Sequence, residues 1–333
     1  MLKTVIVLRV SVLRPDVYRA SIAAAAALAL AVAGCSTSRT GNPTASGAAT
    51  RSAPTGGAAA ASCPTGPVAA VVSVDQWGDI VSELGGACAN VKTVLAGSSV
   101  DPHDYEPSPA DAACFTGARL VVVNGAGYDA WASKLAASSA VGAHLVSAAA
   151  VTKTPDGANP HLWYLPSAVT EVADAVTGEF SKLDPQATDY FTQRRAQFAA
   201  AIAPYTGLIA KIKAGAAGKS YAATETIFDY QAQALGLVNK TPEGYRRASA
   251  SESDPSPGDI DSFRSALAGR RIDVLIYNTQ TEGSIPEQIR TAAEQAGVPV
   301  VDVTETVAPG QTSFEGWQYT QLVALGKALG VPA

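Results

Sequence analysis

The chain has 333 residues, enough for about two domains, and a formal net charge of −5 from 24 Lys and Arg against 29 Asp and Glu. Its N-terminal segment carries Lys3, Arg9, Arg14 and Arg19 against Asp16 alone, so the remainder is more acidic still. An acidic body lacks the basic surface that a phosphate backbone requires, which argues against nucleic acid as a partner.

At the N-terminus, Arg9, Arg14 and Arg19 precede an apolar run over residues 22–33 that ends Val32-Ala33-Gly34-Cys35. A basic region, an apolar core and a small-residue cleavage site compose a secretory signal. The run is shorter than the roughly 20 apolar residues that a membrane span needs. Val32-Ala33-Gly34-Cys35 resembles a bacterial lipobox, which implies a signal peptide over 1–35 and lipidation of Cys35. The alternative is an ordinary signal with an incidental cysteine. Residues 36–66 are mostly Ser, Thr, Gly, Ala and Pro. Such a segment cannot bury enough surface to offset its ordering entropy, and it reads as a flexible tether.

Export implies an oxidising compartment. With Cys35 taken by lipid, Cys63, Cys88 and Cys114 remain, enough for one disulfide and one free thiol. Cys63 and Cys88 each lie a few residues before an apolar run, 68–74 and 91–95. If those runs are adjacent parallel strands, both cysteines start at one sheet edge, and Cys63–Cys88 is the expected pair. Cys114 falls mid-helix and is expected to be free.

Beyond the tether, strand and helix signals alternate. Residues 68–74 are short, apolar and β-branched, as a buried strand requires. Asp75 is placed to cap a helix through Leu84, which Gly85-Gly86 ends. Strands are expected at 91–95 and 118–124, with a helix at 108–115 between them. Helices then cover 167–183 and 185–214, the second opened by Asp184-Pro185 and kinked at Pro204. Phe191, Phe198, Ile202, Tyr205, Leu208, Ile209 and Ile212 give it one apolar face. Strands return at 220–223, 273–277 and 300–303. Alternation of this kind builds parallel sheets covered by helices.

The chain contains three histidines. Two follow a proline directly, in Asp101-Pro102-His103-Asp104-Tyr105-Glu106-Pro107 and Asn159-Pro160-His161-Leu162-Trp163. Proline fixes its own φ and extends the residue before it, so each imidazole leaves a stiffened loop in a defined direction. Imidazole and carboxylate are ligands for Zn²⁺, Mn²⁺ and Fe²⁺. His144 lacks such a frame and reads as a surface or strand-start residue.

These segments resemble the metal-binding receptors of bacterial ABC importers, the zinc and manganese cluster, over residues 67–330. The likeness rests on Asp101 to Pro107, on Pro160-His161-Leu162-Trp163 and on Val121-Val122-Val123-Asn124-Gly125. It implies His103 and His161 as metal ligands. Thr224-Glu225-Thr226-Ile227-Phe228-Asp229-Tyr230 resembles the segment in which manganese-type members carry a Glu ligand, here Glu225. The fourth ligand of the family is an Asp in a Thr-Asp-Ser-like segment; here Thr304-Glu305-Thr306 offers Glu305, one methylene longer.

The resemblance further implies two parallel-sheet α/β lobes joined by a long rigid helix, with the metal in the cleft. The lobes are expected at 67–166 and 218–333, and the linking helices at 167–217. The implied protein is no enzyme. It is a monomeric extracytoplasmic receptor, lipid-anchored to the outer face of the cell membrane, that delivers Zn²⁺ or Mn²⁺ to a permease and its ATPase. Two imidazoles with two carboxylates suit Mn²⁺, whereas the Irving–Williams order gives Zn²⁺ the higher raw affinity. A metal-stabilised surface adhesin is the alternative. A metallohydrolase would need an open metal position and a base such as Asp104 or Glu106, and no hydrolase motif accompanies them.

Overall fold

The structure, a computed structural model, describes residues 62–97, 105–281 and 283–332. The signal segment, Cys35, nearly all of the tether and His103 lie outside the described residues.

The first lobe runs β1 (Val68–Val74), α1 (Asp75–Gly85), β2 (Ala89–Leu95), α2 (Pro109–Phe115), β3 (Leu120–Val123), α3 (Ala130–Ser139), β4 (His144–Ser147) and α4 (Ala148–Thr152). Its strands are parallel in the order β2-β1-β3-β4. Three helices follow: α5 (Pro166–Leu183), α6 (Thr188–Ala201) and α7 (Ala203–Ala216). The second lobe comprises β5 (Ser220–Ala223), α8 (Asp229–Ala234), β6 (Val238–Asn239), α9 (Glu243–Ala250), α10 (Pro257–Ala268), β7 (Val274–Asn278), α11 (Ser284–Ala296), β8 (Val300–Val303) and α12 (Phe314–Ala328). Its parallel order, β6-β5-β7-β8, repeats that of the first lobe.

The repeated order matters because it reverses direction between the first and third strand of each sheet. In open α/β sheets, ligands bind outside the carboxyl ends of the strands at such a reversal. β3 and β7 are buried throughout and apolar up to Asn278 at the end of β7, as strands covered on both faces must be. One continuous cluster of buried side chains includes Val72 and Trp77, Phe180 and Phe191, and Trp317 and Leu325, so a common core serves both lobes and the helices between them.

Several expectations change in detail. Asp75 does not cap α1: the N-cap is Val74, with no side-chain bond, and the Asp75 carboxylate accepts the Gly97 N–H at 2.9 Å instead. At Pro204 the expected single helix divides into α6 and α7. Ile202, between them, keeps its N–H on Phe198 O at 2.9 Å and accepts the Thr206 N–H at 3.1 Å, and α7 carries Pro204 in its first turn, where a missing N–H costs nothing. The third strand is shorter than 118–124, because the Ala118 N–H closes a turn on Phe115 O at 3.1 Å and the Asn124 N–H turns to the Asp129 carboxylate at 2.7 Å.

Cys63 and Cys88 form a disulfide with Cα atoms 4.9 Å apart. It ties the approach to β1 to the start of β2, whose register pairs Val68 with Ala89. Cys114 is a half-buried free thiol.

One face of α1 lies along the second lobe. Gln76 donates to Glu305 O at 2.8 Å, and Asp79 accepts the Phe314 N–H at the start of α12. Glu83 reaches Glu315, and Asp79, Glu83 and Glu315 hold carboxylate oxygens within 4.8 Å of one another.

Candidate metal centre

His161 sits in the loop that joins α4 to α5. That loop is fixed from behind: Asn124, directly after β3, donates from Nδ2 to Pro160 O at 2.8 Å, and its Oδ1 accepts Trp77 Nε1–H at 3.0 Å. The sharp turn at Asn124-Gly125 is held by buried Asp129, whose carboxylate accepts the N–H groups of both residues and the Ser73 hydroxyl. Gly125 has φ 78° there, and a Cβ on it would meet Ser147 Oγ at 2.5 Å. A glycine is therefore needed. The resulting loop leaves His161 7% exposed, with Trp163 packed edge-on against its ring at 5.3 Å.

Glu225 follows the carboxyl end of β5. Its Oε2 accepts from Asn278 Nδ2 at 2.6 Å, and its Oε1 accepts from the Thr281 hydroxyl. Both donors are uncharged; Asn278 is the last residue of β7 and Thr281 lies just beyond it. Burial pushes the Glu225 carboxyl above the ordinary range; the Asn278 and Thr281 bonds pull it down, and the Glu305 charge pushes it up again. No Lys or Arg pairs with Glu225 among the described residues.

Glu305 follows β8. Gln280 holds its loop: Gln280 Oε1 accepts the Glu305 and Thr306 N–H groups, and Nε2 donates to Thr306 Oγ1 at 2.8 Å. From the first lobe, Gln76 donates to Glu305 O and the buried Tyr128 hydroxyl donates to the Glu305 side chain. The Glu305 carboxylate oxygen Oε1 lies 3.7 Å from His161 Nε2.

The structure thus brings His161, Glu225 and Glu305 to one place between the lobes. They line a cavity of about 580 Å³ that Asp229 and Arg246 also border. His103, outside the described residues, is not placed. His144 stands apart: its Nδ1 lies 2.5 Å from Glu179 Oε2 in a partly exposed ion pair. Asp302 is exposed and pairs with Arg290 at 2.6 Å, so it faces away from the cleft.

The donor set suits a divalent cation. Two carboxylates and an imidazole nitrogen converge in a half-buried place where the surrounding donors are neutral amides and hydroxyls. Anions so placed are costly unless a cation joins them. A hard transition ion such as Mn²⁺ or Zn²⁺ accepts this mixture of oxygen and imidazole ligands. The amides Asn159, Asn278, Gln280 and Gln76 were not legible as site residues. Their one sequence signal is position, Asn278-Thr279-Gln280 following a buried strand and Asn159 preceding Pro-His.

Residues 70–328 match the family described as ZnuA, zinc-uptake complex component A, periplasmic. The chain belongs to this family. That description is of an uptake component and not of an enzyme. Among curated relatives, the chain is 21% identical over 215 residues to the high-affinity zinc uptake system protein ZnuA of Bacillus subtilis, covering 59% of this chain and 66% of the relative. It is 24% identical over 125 residues to the manganese-binding lipoprotein MntA of Halalkalibacterium halodurans, covering 36% of this chain and 41% of the relative. The matched stretches therefore span less than two thirds of these relatives' lengths. Among solved structures, FpvC of Pseudomonas aeruginosa in complex with Mn²⁺ superposes with a TM-score of 0.66 at 22% identity, over 79% of this chain and 98% of that one. The likeness shows the same two-lobed fold.

Proposed function

We propose that the chain is an extracytoplasmic receptor that captures one Zn²⁺ or Mn²⁺ ion between its lobes and passes it to an ABC permease driven by an ATPase. One observation carries this reading. Glu225 and Glu305, from the second lobe, meet His161, from the first, and neutral side chains hold them in a buried cleft. Ligands drawn from both lobes make the bound ion a tie between them. Membership in a zinc-uptake family supports transport over adhesion or hydrolysis.

His103 completes the proposed set, on the strength of its Asp101-Pro102-His103 frame. Two imidazoles and two carboxylates make four ligands and leave no open position for a substrate water, which suits capture, whereas hydrolysis needs one. Cys35 is proposed as the lipid-bearing residue and residues 36–66 as the tether, which places the lobes outside the membrane.

Thermal melts of the metal-free protein with added Zn²⁺ or Mn²⁺ test capture. An ion that binds the folded state alone adds about 4 kcal/mol at roughly 1,000-fold excess over Kd. Absence of a shift with both ions would contradict the reading. Cys35→Ser tests the anchor: the variant is expected in the soluble fraction or as unprocessed precursor, and unchanged membrane fractionation and mass would contradict it.

A further inference from the structure

Asn159 makes contacts to both halves of the candidate centre. Its Oδ1 accepts the His161 backbone N–H at 3.0 Å and lies 2.7 Å from His161 Nδ1. Its Nδ2 donates at 2.8 Å to Thr226 O, in the loop of the other lobe that carries Glu225. The two outer partners fix which way the amide points. A backbone N–H can only donate and a backbone carbonyl can only accept, so the oxygen must face His161 and the nitrogen must face Thr226.

That orientation decides the histidine's tautomer. An amide oxygen offers no proton, so the Nδ1 beside it must carry one. Nε2 is then left with its lone pair, on the side of the ring that faces Glu305 Oε1 at 3.7 Å. The carbonyl of Asn159 adds a second link to the opposite lobe, accepting the Tyr230 hydroxyl at 2.9 Å.

We propose that Asn159 is a positioning residue for metal capture. Its amide holds His161 as the Nδ1–H tautomer with Nε2 turned to the metal, and it ties that ring to the Glu225 loop across the cleft. No other short side chain combines the two tasks. Aspartate keeps the acceptor for Nδ1–H but sets a carboxylate against the Thr226 carbonyl; alanine loses both. Second partners of this kind orient a metal-bound imidazole, and their loss costs about 10- to 100-fold in affinity. The proposal rests on His161 and Glu225 being ligands, as argued above.

The test uses histidine labelled with ¹⁵N in the metal-free protein, read by long-range ¹H–¹⁵N correlation, together with Zn²⁺ and Mn²⁺ titrations. The wild type is expected to show His161 as the Nδ1–H tautomer, with the signal assigned through its loss in His161→Ala. Asn159→Ala is expected to mix the tautomers and weaken binding about 10- to 100-fold, while circular dichroism stays that of the wild type. Asn159→Asp is expected to keep the tautomer yet still bind more weakly, because the tie to Thr226 is lost. Tyr230→Phe, which removes the other link to Asn159, should leave the tautomer unchanged. An unaltered tautomer in Asn159→Ala overturns the proposal. A wild type that binds neither ion would sink the receptor reading instead, and the tautomer measurement would still decide the role of Asn159.

Discussion

His144 and His161 show how little a residue type says without its surroundings. His144 opens β4 at the surface against Glu179, whereas His161 is buried beside two carboxylates from the other lobe. His144→Ala should therefore leave metal affinity at the wild-type value, and His161→Ala should abolish tight binding, both read by titration with Zn²⁺ or Mn²⁺. Protons compete with the metal for the carboxylates. Because burial raises the Glu225 pKa, that competition begins at higher pH than for an ordinary Glu, near 4.3. Affinity should accordingly fall as pH drops, and the fall should begin above the range of an ordinary Glu. Affinity that stays flat down to the ordinary range, near 4.3, would contradict this. The Pro-His frame made His161 legible because proline writes backbone stiffness into the sequence. Asn159 and Gln280 were not legible, because an amide that satisfies two backbone groups leaves no charge, period or turn signal behind.

At the level of elements, the strands were read with small errors of length, since β-branched runs bounded by turns are set by local sequence. The role given to Asp75 failed because the cap competed with Gly97, a contact no local pattern reveals. The seam between α1 and α12 was also invisible: Asp79, Glu83 and Glu315 are ordinary helix-surface acids until two helices meet. Burial first, then the Glu315 and Asp79 charges, push the Glu83 carboxyl up to about 8. A folded pKa above the unfolded one, about 4.3, means that this group favours folding at low pH and loses that contribution as pH rises to about 8. Glu83→Gln should remove this loss. Its Tm should exceed that of the wild type most at pH 8 and least near pH 5. A Tm difference that does not change with pH would contradict the assignment. In the turn after β3, Gly125→Ala forces a positive φ on a side chain that also meets Ser147, at about 1–3 kcal/mol by denaturant unfolding. It should weaken metal binding too, because Asn124 beside it steadies the His161 loop.

For the whole molecule, the alternation of strand and helix announced parallel sheets covered by helices, the family resemblance implied two lobes, and the order of the sheets repeats in both. What the alternation could not announce is how the lobes join. A shared core through Trp77, Phe180 and Trp317 and polar links from Gln76, Tyr128 and Asn159 to the second lobe give an assembly with little freedom to splay. The Cys63–Cys88 disulfide closes a loop of sequence separation 25 at the edge of the first sheet. Cys88→Ser should cost about 3 kcal/mol of stability by denaturant unfolding, with metal affinity retained because the bridge lies at the amino ends of β1 and β2, opposite the carboxyl ends that face the cleft.

Crystals grown with Mn²⁺ and measured for anomalous scattering show whether His161, Glu225 and Glu305 share one ion. One strong peak per chain is expected, within about 2.0–2.3 Å of His161 Nε2 and of a carboxylate oxygen from each glutamate. A peak at Asp79, Glu83 and Glu315 instead, or no peak in the cleft, would contradict it.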